Sequence, residues 1–270
     1  MKPPASDSAH EGIKSTNKEV YDLDRAHVFH SWSAQGAITP LPVAGGLGSY
    51  FWDFDGNRFL DFSSQLVFTN IGHQHPKVIA GIKKQADLLA TIAPQHANET
   101  RSIAAQKIVA HAESHLNKVF FTNGGADAVE NAIRMARIHT TRHKVLSHYR
   151  SYHGNTGAAI NATGDPRRFP NEFAFGHVHF WGPYLYRTAF WAEDEAQECA
   201  RALEHLEQMI IFEGPNTIAA ILIESIPGTA GVLVPPKGYL EGVRALCDKY
   251  KILWIADEVM AGFGRTGKWF

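Results

Sequence analysis

Tyr239-Leu240-Glu241-Gly242-Val243-Arg244-Ala245-Leu246-Cys247-Asp248-Lys249-Tyr250-Lys251-Ile252-Leu253-Trp254-Ile255-Ala256-Asp257 is the stretch that sets the fold. Leu240, Val243, Leu246, Cys247 and Tyr250 recur at helical spacing and predict an amphipathic helix over 239–250. Ile252 to Ala256 then runs apolar without a break, as a strand does when both of its faces are covered. A helix feeding directly into such a strand is the repeating unit of a parallel sheet. The same alternation extends upstream. Helices are expected over 77–90, 99–115 and 126–138, the last with Val129, Ala132, Ile133 and Ala136 on one face. Strands are expected over 118–122, 143–148, 158–162 and 218–223. The fold class is therefore α/β, a mostly parallel sheet with flanking helices. Before His75-Pro76 the pattern differs. Ser49 to Phe62 places aromatic residues on both sides of Asp55-Gly56 and reads as a hairpin. Residues 1–18 carry little to bury and read as a mobile leader.

A chain of 270 residues can build one large domain or two modest ones. Its 26 basic and 27 acidic residues leave a net charge of −1, so no global field attracts nucleic acid or an anionic membrane, and neither partner is expected. The amino terminus is polar and has no secretory pattern. No apolar run approaches the roughly 18 residues needed to span a bilayer, Ile218 to Ile223 being the longest candidate. The two cysteines, Cys199 and Cys247, match no CxxC spacing and suit a reducing compartment, so a cytoplasmic location is expected. Fifteen histidines invite a metal-dependent hydrolase as a rival reading. The pairs His73/His75, His177/His179 and His111/His115 have no third ligand at recognisable spacing, and no metal is expected.

Three segments carry chemistry. In Phe120-Phe121-Thr122-Asn123-Gly124-Gly125-Ala126-Asp127-Ala128-Val129-Glu130-Asn131, a glycine turn opens a helix. The first N–H groups of that helix lack intrahelical partners and sit at its positive end, so Gly125 and Ala126 can bind a phosphate. Taken alone, the segment also fits a plain turn before a helix. It is neither a Walker nor a dinucleotide-binding loop, and Gly262 to Gly267 only partly resembles the latter. Tyr152-His153-Gly154 follows a strand and offers a flat ring beside a cleared space; a tyrosine packed in the core reads the same way. Asp257 is delivered to the carboxyl end of a buried strand, where open α/β sheets bind ligands. A carboxylate there needs a cation such as a protonated pyridine nitrogen, or else caps the following turn.

The order and intervals of these segments resemble the class III aminotransferases of the fold-type I pyridoxal-phosphate family, and the chain is identified as a member on that ground. The resemblance runs from about Tyr50 to Phe270. It includes Trp52-Asp53-Phe54-Asp55-Gly56, Gly72-His73-Gln74-His75-Pro76, the Thr122-to-Gly125 turn, Tyr152-His153-Gly154, Ile223-Glu224 and Asp257 to Gly267. It implies pyridoxal 5'-phosphate as cofactor, bound by Gly124, Gly125 and Ala126 at the phosphate, Tyr152 and Val259 on the ring faces, and Asp257 at the pyridinium nitrogen. Glu224 supports the cofactor, and His153 lies near it or behind the carboxylate.

The resemblance also implies a leader (1–18), a segment with the hairpin that belongs to the small domain (19–72), and a cofactor-binding large domain (73–270) incomplete at its carboxyl end. The activity implied is ping-pong transfer of an amino group from an amine or ω-amino acid donor to an α-keto acid, by a homodimer whose partner chain contributes a phosphate contact. A decarboxylase or aminomutase using the same cofactor, and a non-catalytic cofactor-binding fragment, are the alternatives. The Schiff-base lysine and the substrate arginine are expected beyond Phe270, because Lys268 lies too close to Asp257. A chain ending at Phe270 would leave strands unpaired and is expected to aggregate, so a longer protein is expected. Some branches carry a glutamine where this chain has Met260, which cannot donate a hydrogen bond. The difference points toward the ω-amino acid and taurine transaminases.

Overall fold

Thr16 and Glu19 start the first helix. Thr16 accepts a hydrogen bond from the Glu19 N–H, and the Glu19 carboxylate accepts the Thr16 N–H, a reciprocal cap that fixes α1 over Asn17–His27. The computed structural model describes residues 15–171 and 174–270. The expected leader falls, over residues 1–14, outside these, and Asn17 and Lys18 already belong to α1. The chain divides into two compact units between His96 and Ala97.

In the first unit, β1 (Gly45–Leu47), β2 (Tyr50–Trp52) and β3 (Arg58–Leu60) form an antiparallel sheet. The expected hairpin joins β2 to β3. Its turn is wider than two residues: Asp53 Oδ1 accepts the N–H groups of Asp55 (3.0 Å) and Asn57 (2.8 Å). Gly56 adopts φ +83°, a conformation glycine reaches without strain. His73 is bound back to this unit through a bridge to Gly48 and a 2.8 Å contact with Asp61. The helix that follows, α2 (Pro76–Leu88), stays with the first unit.

The second unit opens with α3 (Glu99–Val109), capped by Asn98 and shorter than the 99–115 expected. After it in the chain come α4 (Gly125–Thr140), β4 (Lys144–His148), α5 (Gly157–Ala162), β5 (His177–Phe180), α6 (Glu195–Glu213), β6 (Ile218–Glu224), α7 (Tyr239–Tyr250) and β7 (Leu253–Asp257). The strands form a parallel sheet in the order β5-β4-β6-β7. All seven residues of β6 are buried, as a central strand covered on both faces requires. Leu146, Ile221 and Ile223 face Leu206 and Ile210 of α6 and Val243 and Cys247 of α7. Val145 and Leu222 face the other way, onto Val129 and Ile133 of α4 and Ala159 of α5. This is the α/β sandwich expected. No helix among the described residues is long and apolar enough to cross a membrane.

Two expected strands are absent. Residues 118–122 are irregular, and Phe120 and Phe121 stay exposed. An apolar run becomes a strand only when another strand pairs with it, and no described strand lies alongside. Residues 158–162 form α5 instead. Three small alanines favour a helix there, and a single oxygen of Glu130, on α4, accepts from Thr156 Oγ1 (2.7 Å) and from the N–H groups of Ala158 (2.6 Å) and Ala159 (3.0 Å). That cap arrives from a neighbouring helix and has no local sequence sign. β5 and α6 are not among the elements that the sequence predicts. In α6 the spacing of Ala202, Leu206 and Ile210 was legible, but buried Glu198 interrupts the apolar face.

Candidate functional site

The sheet's order reverses at β4, which is followed in the chain by β5 on one side and β6 on the other. Open α/β sheets hold ligands outside the carboxyl ends of their strands at such a point. The loop after β4 carries Tyr152 and His153, β6 ends in Glu224, and β7 ends in Asp257, whose register partner is Glu224.

The loops are drawn together by glycine. A Cβ at Gly125 would lie 3.0 Å from Val259 Cγ2, and one at Gly154 would lie 2.7 Å from Ala126 Cβ. Gly154 also has φ +132°, outside the range of ordinary L-residues. The start of α4, the Tyr152 loop and the turn after β7 thus meet at two glycines. The Gly124 cap has extended backbone and contributes no side-chain hydrogen bond to α4. A Cβ there would meet nothing within 4 Å, so the space beside Gly124 is open. The first intrahelical bond runs from Ala128 N–H to Gly124 C=O (3.0 Å), which leaves the N–H groups of the first turn directed outward, as an anion site requires.

Asp257 is buried. One oxygen accepts the Val259 N–H (3.1 Å), and the other lies 2.7 Å from Nδ1 of His153. The sequence reading set a cofactor nitrogen opposite this carboxylate; within the chain its partner is His153, which lies behind it. The His153 side chain is fully buried, its main-chain N–H is held by Thr163 Oγ1 (2.9 Å), and its Nε2 has no hydrogen-bond partner among the described residues. Thr163 was not anticipated, because its only sequence sign is a threonine after a run of small residues. Glu224 accepts the N–H groups of Tyr152 (3.0 Å) and Gly228 (2.8 Å). Burial pushes its carboxyl above the usual range, against those two bonds. Val259 rests on Gly125 and exposes 68% of its surface, and the Met260 thioether packs onto Gly228.

A phosphate-bearing planar ring fits this arrangement. An uncapped helix start has open space beside Gly124, an aromatic ring stands in the adjacent loop, and a buried carboxylate lies at the strand end. The structure brings together Gly124, Gly125, Ala126 and Val259 around one set of contacts, and Tyr152, His153, Glu224 and Asp257 around another.

The histidine pairs do not converge. Among the described residues no three His, Cys, Asp or Glu side chains are placed to hold a metal. His111 stacks on Trp269, and His179 stacks on Tyr149. His177 lies beside Arg137, where burial and that cation push its pKa down to about 4. His148 is enclosed against Phe180, with Nε2 3.0 Å from the Tyr239 hydroxyl, and burial lowers its pKa to about 3.

Comparison with known proteins gives a consistent set of matches. Residues 32–270 match the model of the family "Aminotransferase class-III". A hypotaurine/taurine–pyruvate aminotransferase of Paracoccus denitrificans is 34% identical over 93% of this chain and 56% of its own length. A probable 4-aminobutyrate aminotransferase of Bacillus subtilis is 34% identical over 83% of this chain and 53% of its own length. Among solved structures, a taurine:2-oxoglutarate aminotransferase from Bifidobacterium kashiwanohense, in complex with PLP and glutamate, superposes with a TM-score of 0.91 at 50% identity. The match covers 96% of this chain and 59% of that one. The chain spans about half the length of the curated relatives it matches.

Proposed function

The chain belongs to the class III aminotransferases, and from that premise we propose that the complete protein is a pyridoxal 5'-phosphate-dependent aminotransferase. It moves an amino group from an amine or ω-amino acid to an α-keto acid in two half-reactions. The observation that carries this reading is the meeting of an uncapped helix start with a buried carboxylate at the carboxyl end of the parallel sheet.

In this reading the N–H groups of Gly125 and Ala126 bind the phosphate, and Gly124 keeps its approach clear. Tyr152 covers one face of the ring and Val259 the other. Asp257 keeps a proton on the ring nitrogen. His153 donates its Nδ1–H to the Asp257 carboxylate and fixes the direction of that carboxylate. Glu224 holds the main chain of Tyr152 and so the height of its ring. Bound there, the cofactor supplies an electron-accepting ring that spreads the charge released when the substrate carbon loses its proton. The remaining parts of the reading are a homodimer, a cytoplasmic location consistent with two free cysteines, and a donor with its amino group remote from its acid group. The donor class is supported by Met260 and by the taurine and 4-aminobutyrate named for the relatives.

Borohydride reduction of the complete protein loaded with pyridoxal phosphate should leave one pyridoxyl-lysine, read by peptide mass spectrometry. Asp257→Ala should still bind the cofactor but turn over about 100- to 1000-fold more slowly, the cost of losing one preorganised charge contact. Absence of the modified lysine, or near-normal turnover of the variant, would refute the assignment.

A further inference from the structure

The Tyr152 ring is held from more than its own backbone. The Arg167 guanidinium lies over it, 4.0 Å from the ring centroid. At that distance the cation is attracted to the ring face, and a planar guanidinium also stacks on it. Arg167 is itself fixed. Its Nε donates to both oxygens of Asp165 at 2.9 Å, its Nη2 donates to Asp165 Oδ2, and Nη2 reaches Thr229 Oγ1 at 3.2 Å. The Arg167 main-chain N–H also binds Asp165 Oδ1 at 2.9 Å, so the two residues form a closed local unit. Asp165 follows α5 in the chain and Thr229 follows β6. The unit therefore brackets the same crevice that Glu224 crosses when it accepts the Tyr152 N–H.

We propose that Arg167 is a positioning residue: it clamps one face of the Tyr152 ring and so fixes the plane on which a flat ligand stacks at the other face. The inference rests on the reading of Tyr152 as the ring that covers the cofactor. A side chain already held in its binding orientation loses less rotational freedom when the ligand arrives. Arginine suits the task better than lysine, because its flat fork donates to both oxygens of Asp165 while its face lies on the ring.

The test is a double-substitution cycle on the complete protein, stripped of cofactor and titrated with pyridoxal phosphate. Binding is followed by tryptophan fluorescence and by the induced circular dichroism of the bound chromophore, which reports ring orientation. Arg167→Ala should weaken binding about three- to tenfold, the span of a partly shielded cation–ring contact, and change the induced signal. Arg167→Lys keeps the charge without the plane and should recover less than half of the loss. Asp165→Asn, which leaves the arginine in place but loosens its anchor, should shift both readouts in the same direction and serves if Arg167→Ala folds poorly. On a Tyr152→Ala background, Arg167→Ala should add less than about twofold, because its effect passes through the ring.

An equal loss on both backgrounds, or unchanged affinity and dichroism in Arg167→Ala and Asp165→Asn alike, overturns the clamp. So does an effect confined to the KM for one keto acid, which would make Arg167 a substrate contact. If Tyr152→Ala alone leaves cofactor affinity unchanged, the stacking role of Tyr152 falls and the clamp falls with it.

Discussion

Glu224→Gln changes one oxygen into an NH2 group and keeps the volume. Both Glu224 oxygens accept from main-chain N–H groups, Tyr152 at 3.0 Å and Gly228 at 2.8 Å. A glutamine amide has one acceptor, so either orientation sets a donor against a donor and leaves a buried N–H without a partner. The penalty for such a group is about 1–3 kcal/mol. The direction of the Glu224 pKa adds a second handle. Because burial raises it above the ordinary value, the ionised form is the costly one in the folded state. Its protonated form adds stability that is present below the unfolded pKa and is lost as pH rises through the folded pKa. Below the folded pKa the wild-type carboxyl carries its own proton and has lost the same acceptor. The difference between variant and wild type should therefore be full at neutral pH and shrink on acidification through that raised pKa.

The assay is urea unfolding of the complete protein without cofactor, followed by intrinsic fluorescence at several pH values. Equal midpoints at neutral pH would refute the two-acceptor argument, and a constant difference down to pH ~4 would refute the role given to burial. Cofactor affinity should fall in the same variant, since the freed Tyr152 main chain no longer sets the ring.

Gly154→Ala should lose about 2–4 kcal/mol of stability, measured by thermal or urea unfolding. The residue has φ +132°, and the added Cβ would lie 2.7 Å from that of Ala126, so strain and overpacking add. Near-wild-type stability would show that the loop can move aside. For His148, whose pKa falls from 6.5 to about 3 on burial, the stability from keeping it neutral is present above pH 6.5. It is lost progressively as pH falls through the window down to about 3. Urea midpoints should decline across that window, and His148→Asn should flatten the decline; an unchanged slope would point to other groups.

Much of the sheet was legible because its strands signal burial directly. Ile218 to Ile223 and Ile252 to Ala256 are apolar throughout, and α7 between them has clean helical spacing. The structure places both as parallel strands, β6 buried throughout but β7 only in part, with Leu253 and Ala256 exposed because no described strand pairs with its outer edge. Two apolar runs misled. Lys118 to Thr122 has strand-like residues but no neighbour to pair with among the described strands, and strand formation is a property of pairs. Residues 158–162, expected as a strand, form a helix instead, and Glu130, 28 residues before Ala158 in the chain, decides it. Of the proposed site, the glycine turn, Tyr152 and Asp257 were legible only through the order and intervals of their segments, which resemble the class III aminotransferases, since each alone also fits a plain structural role. Thr163 and Arg167 were not, since Thr163 holds the main chain of His153 and Arg167 lies over the Tyr152 ring, pairings that exist only once the loops are folded.

Two helices begin beside this crevice, and they are treated differently. The start of α5 receives the Glu130 carboxylate, which accepts three donors there. The start of α4 has a glycine cap and no side-chain hydrogen bond to its first turn. An arriving dianion would be repelled by a fixed negative charge at one helix and drawn to bare N–H groups at the other. Glu130 belongs to α4 itself, little more than a turn beyond that open end, so a single helix both closes the wrong berth and offers the right one. On the proposed reading, the two helix starts would thus bias which end of the ligand enters first.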